Sequence, residues 1–137
     1  MRDYYREKNG LTNTMIIGAG EAGRMLITEI YNNKNEDLTD NGIRQAIDLR
    51  DKIKDIKFDI VIASPLLRTV HTANILTYYD DSIITDDRLL ERDCGDLSGQ
   101  SLEVTNREEY WNYYTDVQYG TSENIKNFFN RVYNFLD

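Results

Sequence analysis

The chain has 137 residues, enough for one domain with a core of its own and too few for two. Hydrophobic residues make up 40% and aromatic residues 11%, so a folded domain is expected rather than a disordered chain. The net charge of −8 disfavours nucleic acid or an anionic membrane as the main partner, so a phosphorylated ligand would need a local cationic pocket.

The lone cysteine, Cys94, rules out an internal disulfide and fits a reducing cytosol. No apolar run approaches the ~18 residues of a membrane span. The opening MRDYYREKNGLTN lacks the apolar core of a signal peptide, so a cytoplasmic protein is expected.

In chain order, Thr14–Ile17 reads as a short strand. Gly18-Ala-Gly-Glu-Ala-Gly23 follows and opens an amphipathic helix to about Tyr31, with Met25, Leu26 and Ile30 as its apolar face. Residues 32–37 form a polar, strand-free connection. A second helix is expected from Asp40 to Asp55, capped by Thr39 or Asp40, with Ile43, Ala46, Ile47, Leu49 and Ile53 as its stripe. Phe58–Ala63 is a continuous apolar run, the pattern of a strand covered on both faces. Ser64 is placed to cap the next helix, with Pro65 at its first position, Arg68 in its first turn, and an end near Leu76. Ser82–Thr85 reads as a further strand and Asp86–Gly99 as a charged loop. Residues 100–120 are mixed, with a cluster of Tyr110, Trp111, Tyr113 and Tyr114. A last helix is expected from about Ser122, its buried face made by Ile125, Phe128, Phe129, Val132, Phe135 and Leu136.

Strands alternating with helices predict an α/β fold, a three-layer α/β/α arrangement on a mainly parallel sheet. Three strands are few for such a sheet. An incomplete domain is therefore expected, prone to self-association through an exposed sheet edge.

Two stretches point to anion chemistry. In Gly18-x-Gly20-x-x-Gly23, strand, glycine turn and helix stand in the order of a dinucleotide fingerprint. Gly18 would allow the tight turn, Gly20 the approach of a pyrophosphate, and Gly23 close helix packing. A second strand ending in an acidic residue should follow, but Glu36 and Asp37 sit where no strand is indicated, so a glycine-rich turn that binds nothing is the plainer alternative. In FDIVIASPLLRTVHTANIL, residues 58–76, a strand end and a helix start aim Arg68 at one spot above the sheet, the layout of a phosphate pocket. His71, the only histidine, lies at i+3 from Arg68 and shares its face. Plainer readings stand beside these: Arg68 and Glu91 as solvated charges, His71 as a structural histidine, Cys94 as a small apolar thiol, and the Tyr/Trp cluster as packing.

The segment MIIGAGEAGRMLITEI resembles the first strand–turn–helix of the nucleotide-binding domain in bacterial polysaccharide-biosynthesis epimerase/dehydratase proteins. On that likeness residues 14–34 would be a substituted Rossmann-like unit. From Asp37 to the C-terminus, LTDNGIRQA, IASPLLRTVHTA, DDRLLERDCGDLSG and GTSENIKNFF resemble, in that order, the histidine phosphatase superfamily of phosphoglycerate-mutase-like proteins. The resemblance implies phosphoryl transfer through a phosphohistidine on a small phosphorylated molecule. By position, Arg68 matches the arginine that grips the phosphate, Glu91 the acid that passes a proton to the leaving oxygen, and Glu123 a residue opening a helix under the substrate lip. The family's first strand ends in Arg-His-Gly, whose histidine is the nucleophile, and a second His-Gly turn comes near its C-terminus. Here Gly18-Ala19-Gly20 occupies the first place, and the chain stops before the second. The expectation is a single truncated domain over 1–137 that is inactive as it stands. The rivals are a non-catalytic phosphate- or nucleotide-binding module using Arg68 and the backbone of Gly18, Gly20 and Gly23, and a fragment of an NAD-dependent sugar-nucleotide enzyme. No metal is expected, and NAD only under the last reading.

Overall fold

A computed structural model describes residues 13–18, 37–79, 82–98, 107–115 and 117–137. Gly20, Gly23 and the helix expected after them lie outside the described residues. The elements are β1 (Thr14–Ile17), α1 (Asp40–Ile53), β2 (Ile60–Ala63), α2 (Leu67–Leu76), β3 (Ile83–Thr85), a short α3 (Arg107–Tyr110) and α4 (Ile125–Leu136). Single 3₁₀ turns at Asp87–Leu89 and Gly95–Leu97 interrupt the loop after β3.

The three strands form one parallel sheet in the order β1-β2-β3, flanked by helices, so the α/β expectation holds. Parallel neighbours need crossover connections, and α2 supplies the one between β2 and β3. It lies against all three strands, and α1 packs on α2. The core between them is Met15, Val61, Ala63, Ala73 and Leu76, with Ile17, Ile53, Phe58 and Ile83 packed around it.

Local chemistry explains the boundaries. Thr39 caps α1 as expected, its hydroxyl accepting from Gly42 N–H at 3.2 Å. Ser64 does not cap α2. The helix starts two residues beyond Pro65, after Leu66, with no side-chain cap. The bracing hydroxyl is Thr69's, which donates to the Ser64 and Leu66 carbonyls at 2.6 and 2.7 Å and pins the turn from inside. The expected stripes were drawn one residue too wide. Leu49 on α1 and Leu136 on α4 are about half exposed, while Ala46, Ile125 and Phe135 are the positions fully enclosed. α4 begins at Ile125 rather than near Ser122, because Asn124 takes the cap and bonds Lys126 N–H at 2.8 Å.

The strands end level. Register pairs Ile17 with Ala63 and Ala63 with Thr85. The ladder then runs one step further, from Ser64 N–H to Ile17 C=O at 2.8 Å and from Asp86 N–H to Ala63 C=O at 3.1 Å. Gly18, Ser64 and Asp86 therefore open their loops side by side at the carboxyl edge, where open α/β sheets place their ligands.

Candidate anion site at the sheet edge

Arg68 is the second residue of α2, four positions after β2 ends. Its Nη1 is buried and has no hydrogen-bond partner among the described residues. Ser64, wholly buried at the strand end, carries a hydroxyl in the same condition. A buried donor without an acceptor costs about 1–3 kcal/mol.

Glu91 arrives from the loop after β3. Burial pushes its carboxyl above the ordinary value, while the Arg92 N–H at 3.0 Å and the charges of Arg131 and Arg68 pull it back, and the Glu123 carboxylate pushes it up. The fold thus brings together Arg68 and Glu91, which the sequence put 23 positions apart.

The Glu91 loop is fastened to the segment before α4. Glu123 N–H donates to Asp93 C=O at 2.7 Å, and Arg92 Nε to Glu123 C=O at 2.8 Å. Asp96 N–H donates to the Thr121 hydroxyl at 3.0 Å. Gly95 and Gly120 both have positive φ at this seam, and a Cβ on Gly95 would sit 2.5 Å from Thr121. Arg92 is buried with its guanidinium 3.7 Å from the Tyr110 ring centroid and 5.3 Å from that of Trp111. The Tyr/Trp cluster is therefore partly packing around a cation, although Tyr114 remains almost fully exposed.

Several candidates sit elsewhere. Glu123 lies two residues before α4 rather than at its first position, and its carboxylate oxygens accept from Arg131 at 2.7 and 2.8 Å. His71 is held through Nδ1 by the Asp37 carboxylate at 2.6 Å. Burial pushes the Cys94 thiol up, away from the thiolate a nucleophile needs. Gly18 has no positive φ, and among the described residues a Cβ there would meet the Leu89 carbonyl oxygen at an ordinary 3.8 Å. Sequence reasoning missed Arg131. Its spacing of eight from Glu123 on a helical stretch was the one available signal.

The sequence pattern of the histidine phosphatase superfamily (branch 1) matches residues 20–137. The chain belongs to this superfamily. The matched range begins 17 residues before the Asp37 boundary drawn from the sequence. It takes in Gly20 and Gly23, so that stretch falls within the phosphatase pattern, and no epimerase or dehydratase likeness supports the other assignment. The chain is similar to an uncharacterized phosphatase, PhoE, of Bacillus subtilis, 30% identical over 109 residues that cover 79% of this chain and 56% of that protein. It is also similar to a probable phosphoglycerate mutase, GpmB, of Proteus mirabilis, 32% identical over 98 residues, 70% of this chain and 46% of that one. A 2,3-bisphosphoglycerate-dependent phosphoglycerate mutase of Streptococcus mutans is 39% identical over 71 residues, 47% of this chain and 31% of the mutase. The aligned segments thus span about half the length of the first two relatives. No helix among the described residues is long and apolar enough to cross a membrane.

Proposed function

We propose that this superfamily member binds the phosphate group of a small phosphomonoester at the Arg68–Glu91 edge and does not transfer it. The buried Nη1 of Arg68, without a partner among the described residues, carries the reading. A guanidinium is a planar fork matched to phosphate oxygens, and an anion seated there would supply the acceptor the protein withholds. Glu91, with its carboxyl raised by burial, keeps more of its proton than an exposed glutamate and so opposes the anion less. The names of the similar proteins, a phosphatase and two phosphoglycerate mutases, point to phosphomonoesters as the ligand class.

The absence of turnover follows from nucleophile chemistry. In the family resemblance the attacking group is the histidine of Arg-His-Gly, and this chain carries Gly18-Ala19-Gly20 at that place. Neither an alanine methyl nor a glycine can attack phosphorus. The chain's one histidine is engaged by Asp37.

Isothermal titration with inorganic phosphate tests the reading. Heat at millimolar ligand, lost in Arg68→Ala, is expected, together with background hydrolysis of p-nitrophenyl phosphate. Equal binding in Arg68→Ala, or a clear hydrolytic rate abolished by His71→Ala, would reverse it.

A further inference from the structure

Arg131, on the second turn of α4, makes five hydrogen bonds. Nε and Nη2 grip the two oxygens of Glu123, Nη1 donates to the carbonyls of Arg88 and Leu90 at 2.9 and 2.6 Å, and Nη2 donates to the carbonyl of Glu91 at 2.9 Å. A guanidinium has five N–H donors, so none is left over. Three of the acceptors are main-chain carbonyls of one short stretch, Arg88 to Glu91, where the 3₁₀ turn gives way to irregular backbone. Backbone of that kind has no ladder to fix it, and its carbonyls need partners from elsewhere.

The grip is returned from the other side. Arg88 Nη1 donates to the Asn134 carbonyl on α4 at 2.6 Å, its own guanidinium is steadied by Asp86 at 2.6 Å, and it lies 5.3 Å from the Phe135 ring centroid. Loop and helix thus hold each other through two arginines. The Glu91 carboxyl, in contrast, takes its one main-chain donor from its own neighbour, Arg92. Its place in space follows the place of its backbone.

We propose that Arg131 is the positioning residue for Glu91: by locking residues 88–91 against α4, it sets where the Glu91 carboxyl stands relative to Arg68. The proposal rests on the reading of that edge as a phosphate site. Arg131 spends all five donors on Glu123 and the loop carbonyls and acts through the loop. Lysine keeps the charge at residue 131 but has three donors on one atom and no fork, so it cannot bridge three carbonyls and a carboxylate together.

The test is the carboxyl titration of Glu91 in the ligand-free full chain, followed by carbon NMR of labelled glutamate, with phosphate affinity measured alongside. The charged neighbours that set this titration are Arg131, Arg68 and Glu123. Arg131→Lys preserves the sign at each of them. In that variant the loop relaxes toward water and the Glu91 midpoint falls toward the ordinary carboxylate value. Phosphate affinity falls about tenfold. A folded Arg131→Lys protein with an unmoved Glu91 midpoint overturns the proposal. Should that variant fail to fold, Arg88→Lys loosens the same clasp from the loop side. A downward shift there supports the proposal and an unmoved midpoint overturns it. Because the titration is read without ligand, absence of phosphate binding in the unsubstituted chain would sink the phosphate-site reading alone.

Discussion

His71 Nδ1 stands 2.6 Å from Asp37 Oδ1, joining α2 to the residues that lead into α1 across 34 positions of sequence. The contact occupies the chain's one imidazole and stitches two crossover segments together. Both side chains are partly exposed, at 24% and 46%. Such pairs contribute little, so His71→Ala should lower stability only slightly. The Asp37 carboxyl is held below its ordinary value, chiefly by the His71 hydrogen bond and then by the Leu38 N–H. The contribution is therefore present above the ordinary aspartate pKa and is lost as pH falls through the lowered one. Thermal melts of His71→Ala and the parent should converge at strongly acidic pH.

Arg68→Ala should remove phosphate binding and leave the fold as stable as before, or more so. A buried donor that lacks an acceptor burdens the unliganded state, and truncating it lifts that cost of about 1–3 kcal/mol, offset by lost packing of the side-chain stem. A thermal midpoint that is unchanged or raised, together with lost phosphate heat, is the expected pair. A large drop in midpoint would mean that Arg68 is a structural residue.

Sulfate stays a dianion through the range in which a raised glutamate titrates, so it reports on Glu91 without titrating itself. Sulfate affinity should rise as pH falls through the Glu91 pKa, by roughly tenfold, because one facing negative charge is neutralised. Glu91→Gln should flatten that dependence. The same substitution should also raise stability at neutral pH more than at acidic pH. A carboxyl with its folded pKa raised favours the folded state below the unfolded value and loses that contribution as pH rises through the folded one.

Two glycines should respond in opposite ways to alanine. Gly95 has φ +51°, and an added Cβ would lie 2.5 Å from the Thr121 carbonyl carbon and hydroxyl, so Gly95→Ala should cost roughly 2–4 kcal/mol. Gly18→Ala should change stability by no more than about 0.5 kcal/mol, since its Cβ meets only an ordinary contact. Denaturant midpoints of the two variants check both.

What could be read from the sequence was whatever is settled within a turn or two of chain. The Thr39 cap, a strand in the apolar Phe58–Ala63 run (which starts at Ile60 in the structure) and Arg68 at the start of a helix are local, and their signals survive without knowledge of the fold. Ser64 was misassigned because Ser-Pro is a strong cap signal, and only the packed structure reveals Thr69 bracing the turn from five residues on. Leu49 and Leu136 fit the period of a buried stripe, yet whether the edge of a stripe is covered depends on neighbours that the period does not contain. Arg131 was invisible for a related reason. Three of its five acceptors are main-chain carbonyls 40 to 43 positions away, and carbonyls leave no trace in residue identity.

The level finish of the three strands has an evolutionary side. Each part of the proposed site follows a separate return of the chain: Gly18 comes after β1, Arg68 after β2 and Glu91 after β3. One return can drift without the other two being rebuilt. On the proposed reading, the grip of Arg68 and Glu91 stands on the second and third returns alone, so binding and transfer are separable by changes confined to the first.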